Sequence, residues 1–328
     1  MKLYFRKILA LALTPALLLG TCAGCGSAPV QETTPATTEP QISQAAVEAL
    51  DGKKIIFVGN SFTQMAYAIM PKQDNELFQE SRTGVQGFFY ELCKANGAEV
   101  SITNWCFGGH DITDTFGGPC PANKDCKGQD HESFLTDRYF DYVAIQLSVE
   151  KQYGGDLMAH LSYIMDFFKR ENPNVKFLLL VPHMAYDENY KWNPDVETLK
   201  GGDVLVCNWG KMLQDIIKGE TQVPGGTQQY ARPTFVISRD ATDGYHQNIL
   251  AGYLTAVMVY SGITGDSAVG QPYDFCDDPT VDPLFDLEEH KAKRYVYEPY
   301  TNFIEVFRSE ADMQGLQQLV DQYLAAYK

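Results

Sequence analysis

Residues 53–64 read KKIIFVGNSFTQ, and the fold turns on how this stretch is read. Four apolar residues, Ile55, Ile56, Phe57 and Val58, run directly into Gly59-Asn60-Ser61. An apolar run without alternation has no solvent face, which is the pattern of a central parallel strand covered on both sides. The small residues after it make a sharp turn. Ser61 then stands at the carboxyl end of the strand, where open α/β sheets place their chemistry.

Outward from residues 54–58, strand-like runs recur at residues 99–105, 142–147, 176–181 and 234–238. Helical patterns lie between them. Leu157, Leu161, Ile164 and Phe168 form one stripe at the spacing of a core-facing helix. A second helical pattern covers residues 204–218, a third follows His246, and the last carries Leu316, Leu319, Val320 and Tyr323. Strands alternating with helices predict an α/β fold in three layers, α/β/α, around a mostly parallel five-stranded sheet in one domain over residues 49–328. No internal repeat at a fixed period is visible.

The chain has 328 residues, 45% of them hydrophobic and 21% charged, enough to bury a full core. Its formal net charge is -16. That balance argues against a nucleic-acid partner, because a phosphate backbone is bound through clusters of Lys and Arg.

The N-terminus reads as an address. Lys2, Arg6 and Lys7 precede an apolar stretch from Ile8 to Leu19, and GTCAGCGS follows. A basic n-region, a short h-region and small residues at a cleavage point make a signal peptide, here residues 1–24. Ala23-Gly24-Cys25 resembles a bacterial lipobox, which implies that Cys25 is lipidated and becomes the mature N-terminus. Cys22 is the alternative, and an ordinary secretory peptide the blander reading. Residues 25–48, rich in Ser, Thr, Pro and Gln, are expected to be a flexible tether. The expected location is the extracellular face of a bacterial cell membrane, with the lipid as the sole membrane contact.

A second chemical stretch, SRDATDGYHQN, lies at residues 238–248. Asp243 and His246 are three apart in a loop leading into a helix, so both can point at one spot. Histidine can accept a proton from a serine hydroxyl, and a carboxylate behind it fixes the tautomer. A D-x-x-H alone is more often a helix-start acid and a satisfied histidine. Asp240 is the substitute acid on the same loop.

In company, these residues carry a resemblance. FVGNSFT at 57–63, the glycine in NWCFGGHDI at 104–112, and DGYH at 243–246 resemble the SGNH, or GDSL-like, hydrolases. The resemblance covers about residues 53–265. It implies a flavodoxin-like sheet, Ser61 as nucleophile, His246 as general base and Asp243 as its orienting acid. It also implies an oxyanion hole built from the backbone N–H groups of Ser61 and Gly109. One block departs from the family: no G-x-N-D follows the third strand. The corresponding strand end, VAIQLSVE, offers Gln146, whose amide is a donor one methylene longer than the family's asparagine. Gln146 is therefore a candidate oxyanion donor, and the alternative is that it hydrogen-bonds only the neighbouring loop.

The remaining candidates are less pointed. His183 follows a strand and is either a cleft residue or an ordinary loop histidine, and His110 adjoins Gly109. His131, His160 and His290 lack metal-ligand spacing, so no metal or other cofactor is expected. Cys120 and Cys126 flank a Gly/Pro-rich loop, where an exported chain invites a small disulfide, with a zinc site as rival. Cys93 and Cys106 read as buried thiols.

Three functions stay open. The first is a serine esterase acting on a small-molecule or glycan ester through an acyl-enzyme. The second is a solute-binding lipoprotein, and the third an inactive SGNH fold serving as a binding module.

Overall fold

The computed structural model describes residues 42–64, 79–80, 87–106, 116, 131–146, 157–182, 204–237, 246–277 and 302–328. The apolar run becomes strand β1 (Lys54–Gly59), with every residue after Lys54 buried. With it, β2 (Gln79–Glu80), β3 (Ser101–Cys106), β4 (Tyr142–Gln146), β5 (Lys176–Leu180) and β6 (Val204–Cys207) form one sheet, ordered β2-β3-β1-β4-β5-β6. β2 is an antiparallel edge strand and the other five run parallel. Numbered among the parallel strands alone, the order is 2-1-3-4-5, that of a flavodoxin-like sheet. The chain steps from β1 to β3 on one side and then to β4 on the other, so the order of strands reverses and the switch point lies between β1 and β4.

Because successive side chains leave a strand on opposite faces, β1 serves two cores. Ile55 and Phe57 join one, Ile56 and Val58 the other. The first core is closed by α1 (Gln44–Leu50), α2 (Ser61–Gln64), α3 (Gly87–Ala95) and, after α4 (His131–Leu135) and α5 (Leu157–Lys169), by α6 (Trp209–Ile217). Helices α7 (Arg232–Phe235), α8 (Ile249–Thr264), α9 (Asn302–Arg308) and α10 (Glu310–Ala325) complete that layer. The second core lies under α4 and α5, where Leu161, Ile164 and Phe168 of the expected stripe are buried. Three layers result, as the alternation of strands and helices predicts. The described residues belong to one unit, Pro40–Lys328.

Helix α8 is the axis of the first core. It is apolar on every side, and its residues from Ile249 to Ser261 are all buried. Asn248 caps its start by accepting from the Ala251 N–H at 3.1 Å, and Gly265, at φ 78°, ends it in the left-handed conformation.

Three expectations need correction. Residues 204–207, expected to open a helix, are strand β6 instead, and the helix starts only at Trp209. Asn208 marks the boundary, its side chain accepting from the Lys211 N–H at 3.0 Å. A short apolar run such as VLVC has no period that separates strand from helix. Residues 234–238, expected as the fifth strand, instead fall partly in α7, and β7 (Val236–Ile237) pairs antiparallel with β8 (His246–Gln247) outside the main sheet. Lastly, residues 44–48, read as tether, are helical. Ser43 caps α1, and its hydroxyl also reaches Asp266, while Ala46 and Leu50 are fully buried. The pair is spaced i, i+4, so one face of a short helix has a core to enter.

Candidate functional site

The site is assembled where the parallel strands end. The Val58↔Trp105 and Val58↔Ile145 pairings bring the carboxyl ends of β3, β1 and β4 level. Gly59 closes β1, and α2 begins two residues later, at Ser61. Asn60 shapes the turn between them. Its Oδ1 accepts from the Phe62 N–H at 3.0 Å and its carbonyl from the Thr63 N–H at 3.1 Å. An asparagine side chain that bonds the backbone two residues on makes an Asx turn. Phe62, 4% exposed, anchors the turn in the first core.

Gln146, at the end of β4, is the turn's other support and is 2% exposed. Its Oε1 accepts from the Thr63 N–H at 2.9 Å, the Thr63 hydroxyl at 2.5 Å and the Asn60 N–H at 3.4 Å. Its Nε2 donates to Asn60 Oδ1 at 2.6 Å. The β1–β4 register, continued one residue, sets Gln146 beside Gly59. A Cβ at Gly59 would lie 2.8 Å from Gln146 Cβ and 2.9 Å from Oε1, so glycine is what lets the amide close over the turn.

On the far side of the chain, β8 begins at His246 and places it opposite Ile237. Asn248 holds this ribbon to α8. Beyond its capping bond, its backbone N–H donates to the Phe235 carbonyl at 3.0 Å and its Nδ2 to the Thr234 carbonyl at 2.8 Å. Elements α2 and β8 come within 8 Å, Cα to Cα. The segments that start with Ser61 and His246 are thus neighbours in space although far apart in sequence. Asp243, Asp240, Gly109, His110, His183, Cys25, Cys22, Cys120 and Cys126 lie outside the described residues.

Cys106 ends β3 beside Gly59, and its thiol donates to the Phe57 carbonyl at 3.5 Å. Burial pushes its ionisation far above that of an ordinary thiol. It stays protonated and is no competitor as nucleophile. Cys93 and Cys207 are likewise free thiols and buried, and Cys276 is buried. His131 is packed in the second core, stacked on Phe116 at 4.3 Å and 2.9 Å from the Tyr163 hydroxyl. Among the described residues, no group of three or more His, Cys, Asp or Glu is arranged to hold a metal ion.

Sequence reading named Ser61, His246 and Gln146, but missed Asn60, Thr63 and Asn248. Asn60 had a local signal, since asparagine before a helix start is a turn former. Thr63 had none, because its partner is 83 residues away.

No protein-family model and no curated protein sequence matches the chain. Among solved structures, it is similar to a DUF4886 family protein from Bacteroides uniformis, with 15% identity over 83% of this chain and 95% of that one, and a TM-score of 0.43. It is also similar to an acetyl-xylooligosaccharide esterase from Geobacillus, at 16% identity over 67% of this chain and 97% of that one, TM-score 0.41. A third likeness is to a family two carbohydrate esterase from Clostridium thermocellum, solved in complex with cellohexaose, at 14% identity over 66% of this chain and 65% of that one, TM-score 0.36.

Proposed function

We propose that the protein is a serine esterase of the SGNH type. The observation that supports this reading is the approach of α2, which starts at Ser61, to β8, which starts at His246, at the switch point of the sheet. The order Ser61, Asp243, His246 and the turn GNSFT add to it.

In this mechanism, the Ser61 hydroxyl attacks the ester carbonyl carbon while His246 takes its proton, and Asp243 steadies the imidazolium. The carbonyl oxygen becomes negative and is met by the backbone N–H groups of Ser61 and Gly109. Collapse of the tetrahedral intermediate expels the alcohol, which leaves with the proton from His246. Water, deprotonated by the same histidine, then releases the acid and restores Ser61. The substrate class is a small-molecule or glycan ester, with glycan-linked acetyl groups favoured by a cell-surface location.

The test is hydrolysis of p-nitrophenyl acetate together with labelling by a fluorophosphonate probe. Ser61→Ala and His246→Ala should each remove nearly all activity, and the double variant should lose little more, because members of a triad act as one unit. Multiplicative losses would dismantle the triad. A wild-type protein that neither hydrolyses nor labels would be a binding module.

We further propose that Cys25 carries the lipid anchor that holds the domain at the outer face of the membrane, as the AGC at residues 23–25 supports. Palmitate labelling in the producing cell should vanish in Cys25→Ala. Persistence of the label would transfer the role to Cys22.

A further inference from the structure

We propose that Gln146 is a positioning residue, an amide clamp that sets the Asn60–Thr63 turn and through it the placement of Ser61. This rests on the reading of Ser61 as nucleophile and gives Gln146 a role that needs no contact with the oxyanion.

The orientation of the amide is fixed by its neighbours. The backbone N–H of Thr63 can only donate, so the Gln146 atom 2.9 Å from it is the oxygen. Asn60 Oδ1 accepts from the Phe62 N–H, so the Gln146 atom that faces it at 2.6 Å is the nitrogen. Both ends of the amide are therefore engaged with the turn. The oxygen receives three donors from Asn60 and Thr63, and the nitrogen commits one of its two N–H groups to Asn60 Oδ1.

Position gives the clamp its leverage. Gln146 ends β4 across the switch point from β1, so it joins the two strand ends that border the crevice. Ser61 lies between the two residues it grips, Asn60 and Thr63. Gln146, at 2% exposed, and Thr63, at 3% exposed, have no water to replace a lost partner. If the clamp opens, the turn relaxes and the nucleophile drifts from its attack line. A shift of about 1 Å can cost about 10²-fold in rate without weakening substrate binding.

A double-mutant cycle on the full chain tests this, read by steady-state hydrolysis of p-nitrophenyl acetate and by the rate of fluorophosphonate labelling, well below the melting temperature of every variant. Gln146→Ala should lower kcat by about 10–100-fold with KM within about twofold. Thr63→Val should lower kcat in the same way, and Thr63→Ser, which keeps the hydroxyl, should restore it. The double variant should be little worse than Gln146→Ala alone, because Thr63→Val removes a contact that Gln146→Ala has already removed. Additive losses, or a Thr63→Val variant with wild-type kcat, would overturn the clamp. Should Gln146→Ala not fold, the contrast between Thr63→Val and Thr63→Ser decides alone. Failure of the esterase reading is distinct, since the wild type would then neither hydrolyse ester nor take label at Ser61. Ser61→Ala abolishing both activities beside an additive cycle would overturn the clamp only.

Discussion

At Gly59 one missing Cβ decides whether two strand ends can share a turn. Neither of its flanking residues demands glycine, and its own backbone is ordinary strand. The demand comes from Gln146, whose Cβ and Oε1 would stand 2.8 and 2.9 Å from an added methyl. Gly59→Ala is therefore expected to push the amide off Asn60 and Thr63, destabilising the fold by about 1–3 kcal/mol, the usual range for overpacking. Combined with Gln146→Ala, the same substitution should cost less but still destabilise, since Oε1 is gone while the Cβ at 2.8 Å remains. Thermal melts of the two single variants and the double variant check this, and a Gly59→Ala protein with the wild-type melting temperature would deny the close approach. The sequence alone displays Gly59 and Ser61 as a strand-to-turn signature. It cannot display Gln146 as their partner, because a one-dimensional pattern does not say which way a side chain 86 residues beyond Asn60 is turned.

At the level of elements, legibility follows from length and from the location of an element's partners. The apolar runs at β1, β4 and β5, and the more mixed run at β3, are buried on both faces and read correctly as parallel strands. The fifth parallel strand did not, since VLVC at residues 204–207 is too short to show a period and leads straight into a strongly amphipathic helix. What sets its end is Asn208, a side-chain cap that also donates to the Tyr327 hydroxyl at 2.5 Å, so the boundary depends on the last residues of the chain. The stretch around residue 234 misleads for a related reason. TFVIS is apolar enough for a strand, but Thr234 Oγ1 accepts from the Ala231 N–H at 3.1 Å, and the Thr234 carbonyl is taken by Asn248. Those bonds favour a helical turn followed by a two-residue ribbon. The ribbon has a consequence for the site: His246 is carried by an element fastened to the first turn of α8, the most buried helix among the described residues. The candidate base is thus mounted from the helical layer and the candidate nucleophile from the sheet. Their approach depends on how that layer is held to the sheet.

Across the whole molecule, the helical layer is itself tied together at Asp312, in the first turn of α10. Its carboxylate accepts from the Thr227 N–H at 2.9 Å and hydroxyl at 2.6 Å, the Gln228 N–H at 3.2 Å, the Ser309 hydroxyl at 2.5 Å and the Tyr230 hydroxyl. Three residues on, Gly315 lets the helix lie against the Pro224 carbonyl, which a Cβ would meet at 2.1 Å. The segment after α6 is thereby pinned to the C-terminal helix. Burial by itself would raise the ionisation of Asp312, but the hydrogen bonds from Ser309, Thr227 and Tyr230 outweigh it and hold the carboxyl at about 2. A carboxylate whose folded value lies below its unfolded value stabilises the fold above the unfolded value. That contribution, about 2 kcal/mol, is complete at neutral pH and fades as pH falls from about 4 to about 2. Asp312→Asn keeps the shape but cannot change charge, so it should be less stable than wild type at pH 7 by roughly that amount. The gap should narrow through the same acid window, because the wild type loses there an advantage the variant never had. Urea midpoints measured against pH for both proteins check it. A gap that stays constant from pH 4 to pH 2 would place the acid sensitivity in other carboxylates and leave Asp312 a neutral packing residue.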